Sequence, residues 1–127
     1  MHLVFFAVIG AIRVNPFPHL YSSASNSDLR TAKRRPALVI QRNALASGLD
    51  QTIVAMISSN VARRGHPSRV FIPLNSPQAK SSGLRLDSII MTDNLATVLD
   101  MEIDLVLGRL EEMKPVDEAV KHTLDLS

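Results

Sequence analysis

The stretch Lys33-Arg34-Arg35-Pro36-Ala37-Leu38-Val39-Ile40-Gln41 joins a basic loop to an apolar run. Val39 and Ile40 are β-branched and favour a strand, and Pro36 fits only the first residue of a strand or its edge. The pattern therefore predicts a rigid strand with Arg34 and Arg35 at its rim. A guanidinium fixed there can hold a phosphate through two parallel hydrogen bonds.

Working outward, further apolar runs are punctuated by turns. Thr52-Ile53-Val54-Ala55-Met56-Ile57 is continuous enough to predict a strand buried on both faces. It ends in Ser58-Ser59-Asn60 and a basic turn, Ala62-Arg63-Arg64-Gly65-His66-Pro67. Arg69 to Leu74 reads as a strand, with Pro73 marking its end or an edge. Asn75 to Gly83 reads as loop. Ser88 to Met91 and Ala96 to Leu99 read as two more strands. Short strands at this spacing predict a small barrel or compact sheet. Beyond them the period changes. Met113, Val116, Val120 and Leu124 recur at helical spacing, with Pro115 suited to a first turn. Glu111, Glu112, Asp117 and Glu118 lie where a helix dipole favours carboxylates, so they need no catalytic explanation.

The start is less regular. The apolar run Leu3 to Ile12 is too short to span a bilayer as a helix and lacks the basic flank of a signal peptide. It reads as a buried first strand, with secretion the minor reading. Asn15 to Asp28, with two prolines and a Ser/Asn run, reads as a loop holding His19 and Tyr21.

Composition limits the function classes. At 127 residues the chain is one domain with an apolar core. Cysteine is absent, which excludes disulfides, a thiolate nucleophile and Cys-ligated zinc. Aromatic residues make up 4% and Trp is absent, so stacking is not expected to be the main recognition device. The formal net charge of +2 hides an asymmetry. Residues 1–80 carry ten Lys/Arg against two Asp/Glu, a net of +8, and residues 81–127 carry four against ten, a net of −6. The basic part points to a polyanion; a solvated face balanced across the fold reads the same charges without one.

From Asp28 onward the chain resembles the PemK/MazF toxins of type II toxin–antitoxin pairs. The likeness rests on Lys33 to Ile40, on Ile53 to Ser59, and on Gly83-Leu84-Arg85-Leu86-Asp87-Ser88 followed by Asp93 to Val98 and Leu107-Gly108-Arg109-Leu110. It divides the chain into an atypical strand and Ser-rich loop, 1–27, possible ground for disorder, and a toxin domain, 28–127. The implied fold is mainly β with a C-terminal helix, the SH3-like barrel of the plasmid-maintenance-toxin (CcdB/MazF) type.

The implied function is a cytoplasmic, sequence-specific endoribonuclease that cuts single-stranded RNA with no metal or other cofactor. It would leave a 2′,3′-cyclic phosphate and a 5′-hydroxyl. The implied partners are a second copy in a homodimer, a cognate antitoxin and, with it, operator DNA; no membrane is implied. The family's catalytic Arg before Pro falls on Arg35, and its strand-end hydroxyl, usually Thr, falls on Ser58. Lys33, Arg34, Arg42, Arg63 and Arg64 are candidate phosphate contacts, and Asn94 stands where Gln is common. Asp87 and Asp93 read as partners for backbone donors in turns, and no His, Asp and Glu cluster makes a metal site of them.

The chain departs from the family in three places. No Gly-Asp pair opens the first strand, a Ser-rich insert follows Pro18, and Ala96 stands where Arg is common. Two other readings therefore stand beside the nuclease: a gyrase-poison-like protein binder on the same barrel, and an inactive remnant whose first strand cannot complete the sheet.

Overall fold

A computed structural model describes residues 4–9, 34–42 and 45–127. Among the described residues there are six strands: β1 (Val4–Ile9), β2 (Arg35–Val39), β3 (Gln51–Ser58), β4 (Arg69–Ile72), β5 (Ser88–Leu99) and β6 (Ile103–Leu110). The α-helices among the described residues are α1 (Pro77–Ser82) and α2 (Lys114–Leu124). The strands form one antiparallel sheet in the order β4-β5-β3-β2-β1-β6. β1 lies between β2 and β6, so the first strand is part of the sheet.

β3 sits in the interior of the sheet. Val54, Ala55, Met56 and Ile57 are all buried, as an unbroken apolar run requires. Alternation sorts their neighbours onto two faces. Leu38, Ala55, Ile57, Ile72 and Ile90 form the larger core, into which α2 inserts Val116. Ala7, Ala37, Val54, Met56 and Val98 form a smaller cluster on the other face. Each fully buried Leu, Ile or Val side chain contributes about 2 kcal/mol through removal from water.

α1 brings the two edges of the sheet towards each other. It follows β4, one edge strand, and packs against β6, the other. The approach is close enough to demand glycine twice. A Cβ at Gly108 would collide with the backbone of Ser81 and Ser82, and one at Gly83 with the Leu107 carbonyl. Gly83 also ends α1 in the left-handed region, φ 77°.

Three elements differ from the sequence reading. The strands expected at Ser88–Met91 and Ala96–Leu99 are one strand, β5. Its middle departs from β3: Ala55 is opposite Leu95, but Met56 is opposite Met91. Thr92, Asp93 and Asn94 are thus left without β3 partners, a bulge that reads in sequence as a turn. Asn75 to Gly83, expected to be loop, contains α1. Its one buried apolar side chain, Ala79, gives no helical period, although the Ser76 cap, Pro77 and Gly83 mark both ends. β6 carries no clear strand signal in the sequence: Asp104 and Arg109 are exposed, and no apolar alternation runs its length. The expected C-terminal helix is found, with the Glu112 carboxylate accepting the Lys114 N–H at 3.1 Å.

Candidate functional site

Arg35 opens β2 and is exposed. Its place is set by the β2–β3 ladder, in which Ala37, Leu38 and Val39 pair with Met56, Ala55 and Val54. Continued by two residues, this register sets Arg35 level with Ser58. Residues opposite each other in an antiparallel pair project from the same face, with Cα atoms about 5 Å apart. Arg35 and Ser58 therefore share the rim of the face that carries Ala37 and Met56.

Ser58 ends β3, half-buried. Its Oγ accepts the Asn60 N–H at 3.1 Å. Asn60 in turn caps the 3-10 turn Val61–Arg63, its Oδ1 accepting the Ala62 N–H at 3.2 Å. Ser-Ser-Asn at a strand end thus builds a turn by side-chain-to-backbone bonds. The Ser58 oxygen is oriented as an acceptor, and its own proton remains for another group.

Adjacent arginines have different surroundings. Arg34 is ion-paired with Asp104 of β6. Among the described residues Arg35 makes no ion pair. The Arg34–Asp104 pair is exposed, so it contributes little to stability.

The basic turn is held by a residue that the sequence reading did not single out. Arg69 opens β4, and its Nη1 donates to the Arg63 carbonyl at 3.1 Å. Its Nη2 donates to Asp93 Oδ2 at 3.0 Å. This hydrogen bond is the main cause holding the Asp93 carboxyl below the usual carboxylate range, with partial burial working against it. Asp93 thus pairs with a side chain, whereas Asp87 accepts the Leu74 N–H at 2.7 Å as its turn setting suggests. Beside Asp93, Thr92 is fully buried. Its Oγ1 lies 2.6 Å from the Ser68 carbonyl and 2.7 Å from Thr123 Oγ1 of α2. The bulge is fixed from both sides. The signal for it was Thr-Asp-Asn, a polar triplet interrupting two apolar runs.

The other expected contacts divide between two places. Arg63 and Arg64 lie in the turn after Ser58; Arg63 Nη1 is 3.6 Å from Met91 Sδ, and the Arg64 guanidinium stands 5.5 Å from the Phe71 ring centroid. Asn94 is exposed at the bulge. Arg42 lies past the other end of β2. It lines a cleft of about 410 Å³ with Ile40, Val116, Asp117 and Val120. Lys33, His19, Tyr21 and the Ser-rich loop with its expected disorder lie outside the described residues. Among the described residues no three His, Asp or Glu side chains are grouped to hold a metal, and no helix is long and apolar enough to cross a membrane.

A sequence model of the PemK-like, MazF-like toxins of type II toxin–antitoxin systems matches residues 19–124. The endoribonuclease MazF6 of Mycobacterium tuberculosis is 34% identical over 103 residues, which cover 79% of this chain and 86% of that protein. The structure of the Mycobacterium tuberculosis toxin MazF-mt6 superposes with a TM-score of 0.62 at 26% identity, over 75% of this chain and 90% of that one. A mycobacterial endoribonuclease in complex with its cognate antitoxin superposes with a TM-score of 0.62 over 99% of this chain and 94% of that one. At 16% identity, that likeness concerns the fold, the CcdB/MazF-type barrel.

Proposed function

This chain belongs to the PemK-like, MazF-like toxins of type II toxin–antitoxin systems, and we propose that it cuts single-stranded RNA with Arg35 and Ser58. The observation that carries the reading is the β2–β3 register, which, continued by two residues, brings Arg35 level with Ser58 at the rim of one face.

The chemistry is transesterification within the RNA. The 2′-oxygen attacks phosphorus and loses its proton to water, the bond from phosphorus to the 5′-oxygen breaks, and that oxygen takes up a proton from water. Charge grows on the two phosphoryl oxygens in between. Arg35 stabilises that charge with two parallel N–H donors that need no rearrangement as the reaction proceeds. A guanidinium stays charged throughout, so Arg35 is assigned electrostatic work and no proton transfer. The Ser58 hydroxyl donates a hydrogen bond to a phosphoryl oxygen while its lone pair is engaged by the Asn60 amide. Arg63, Arg64 and Asn94 line the path beyond and position the strand; phosphate contacts of this kind place RNA without reading its bases. No metal is assigned a role.

The partners that accompany this reading are a second copy of the chain in a homodimer and an antitoxin that blocks the groove. With the antitoxin the toxin would sit on operator DNA, and its place of action would be the cytoplasm. The gyrase-poison alternative makes a different prediction, since it leaves RNA intact. Purified protein incubated with a defined RNA in excess chelator separates the two. Cleavage to a cyclic phosphate by wild type and none by folded Arg35→Ala supports the proposal; intact RNA, or equal cleavage by both, removes it.

A further inference from the structure

We propose that Phe71 is a base-stacking subsite for the same RNA strand, occupied by Arg64 in the free protein. The inference rests on the ribonuclease reading above and extends it from the scissile phosphate to a neighbouring base.

The starting point is the orientation of β4. Val70 and Ile72 pack into the larger core, so alternation turns Phe71 to the opposite face, where it is 36% exposed. One exposed phenylalanine is ordinary. Its register is what gives it a role. Phe71 is opposite Ile89 on β5, Ile89 is opposite Ser58 on β3, and the β2–β3 register, continued by two residues, adds Arg35 on β2. Four strands thus contribute one row of residues to one face. Phe71 stands two strand spacings from Ser58, roughly 10 Å.

The second observation is the cation above the ring. The Arg64 guanidinium lies 5.5 Å from the Phe71 centroid, and the backbone that carries it is fixed by the Asn60 cap and by the bond from Arg69 to the Arg63 carbonyl. An aromatic ring facing a guanidinium is a setting into which a nucleobase fits, because both surfaces stack on π-faces. Among the residues whose side chains are described, Phe71 is the only Phe, Tyr or Trp. The base either slides between ring and guanidinium or displaces Arg64 onto an adjacent phosphate. A base paired in a duplex has its faces covered by its neighbours, so the subsite takes an unpaired base. Ile89, between Ser58 and Phe71, is fully buried, so the RNA would pass above it: phosphate at Arg35 and Ser58, backbone over the turn at Arg63, base at Phe71.

The chain has no tryptophan, so Phe71→Trp places a single indole at the subsite. In an Arg35→Ala background, which does not cut, titration with a single-stranded oligonucleotide should quench the indole emission. Inorganic polyphosphate of equal charge and a duplex of the same sequence should not. In the cutting protein, Phe71→Leu should raise KM roughly tenfold with kcat changed less than about threefold, and Phe71→Tyr should restore KM. Equal quenching by polyphosphate, or an unchanged KM in a folded Phe71→Leu, overturns the subsite while wild-type cleavage leaves the ribonuclease reading standing. A wild-type chain that neither binds nor cuts RNA overturns both. If Phe71→Leu melts early, the tryptophan titration alone decides.

Discussion

The two ends of β2 each carry an exposed arginine, and their surroundings differ. At the start of the strand, Arg35 is level with Ser58, beside a turn fixed by Asn60 and Arg69 and next to the β5 bulge. Past the other end, Arg42 overlooks an apolar cleft against α2, with the Asp117 carboxylate among its lining. The first setting gathers donors around a point a phosphate can reach. The second sets Arg42 and Lys121 among apolar side chains, beside an acid that repels the same phosphate. Positive charge at a strand end is therefore not enough to define a site, and the fixed polar neighbours are what separate the two.

The largest effect that would break this contrast concerns the arginines themselves. Arg35→Ala should lower kcat on a single-stranded oligonucleotide by at least about 100-fold with an unchanged circular dichroism spectrum. Arg42→Ala should stay within about threefold of wild type. Equal losses at both positions would erase the distinction.

Ser58 comes next. Ser58→Ala should reduce kcat roughly tenfold by removing a hydrogen bond to a charged group, and Ser58→Thr should recover most of it. A full-rate alanine variant would limit Ser58 to building the turn.

The Arg69–Asp93 pair sharpens the comparison through stability. Because the folded state holds the Asp93 carboxyl below its usual range, the pair stabilises the fold above the unfolded carboxylate value, near pH 4. That contribution is lost as pH falls through the lower folded value. Thermal melts of Asp93→Asn should show a loss of about 1 kcal/mol at pH 7. Below pH 4 the variant should lose less further stability than wild type. Parallel pH profiles for the two proteins would contradict the pairing.

The smallest effect is in salt dependence. Removing Arg63 or Arg64 should flatten the slope of log affinity against log salt by about 0.7, the value for one phosphate contact on a single strand. Arg42→Ala should leave the slope unaltered, as measured by fluorescence anisotropy with non-cutting protein.

Much of this was legible before any coordinates. Lys33 to Gln41 announced a strand with arginines at its rim, and β3 declared its double burial through an unbroken apolar run. Met113, Val116, Val120 and Leu124 carried the period of α2. What was hidden had physical reasons. α1 is too short and polar to show a period, and its end signals, Ser76-Pro77 and Gly83, look the same in a loop. β5 was split in two because Thr92-Asp93-Asn94 bulges from β3 with the polar residues of a turn. Arg69 does not stand out in the sequence because its importance lies in bonds to Arg63 and Asp93, one of them 24 positions away. Pairings at that range cannot be read from local pattern. That Arg35 comes level with Ser58 when the ladder is continued is a matter of register, which depends on how two strands align.

The most direct measurement is end-mapping of a defined single-stranded RNA after incubation in excess chelator, with wild type beside Arg35→Ala of verified fold. The account predicts fragments ending in a 2′,3′-cyclic phosphate and beginning with a 5′-hydroxyl from wild type alone. Intact RNA with wild type, or the same fragments from the alanine variant, would contradict it.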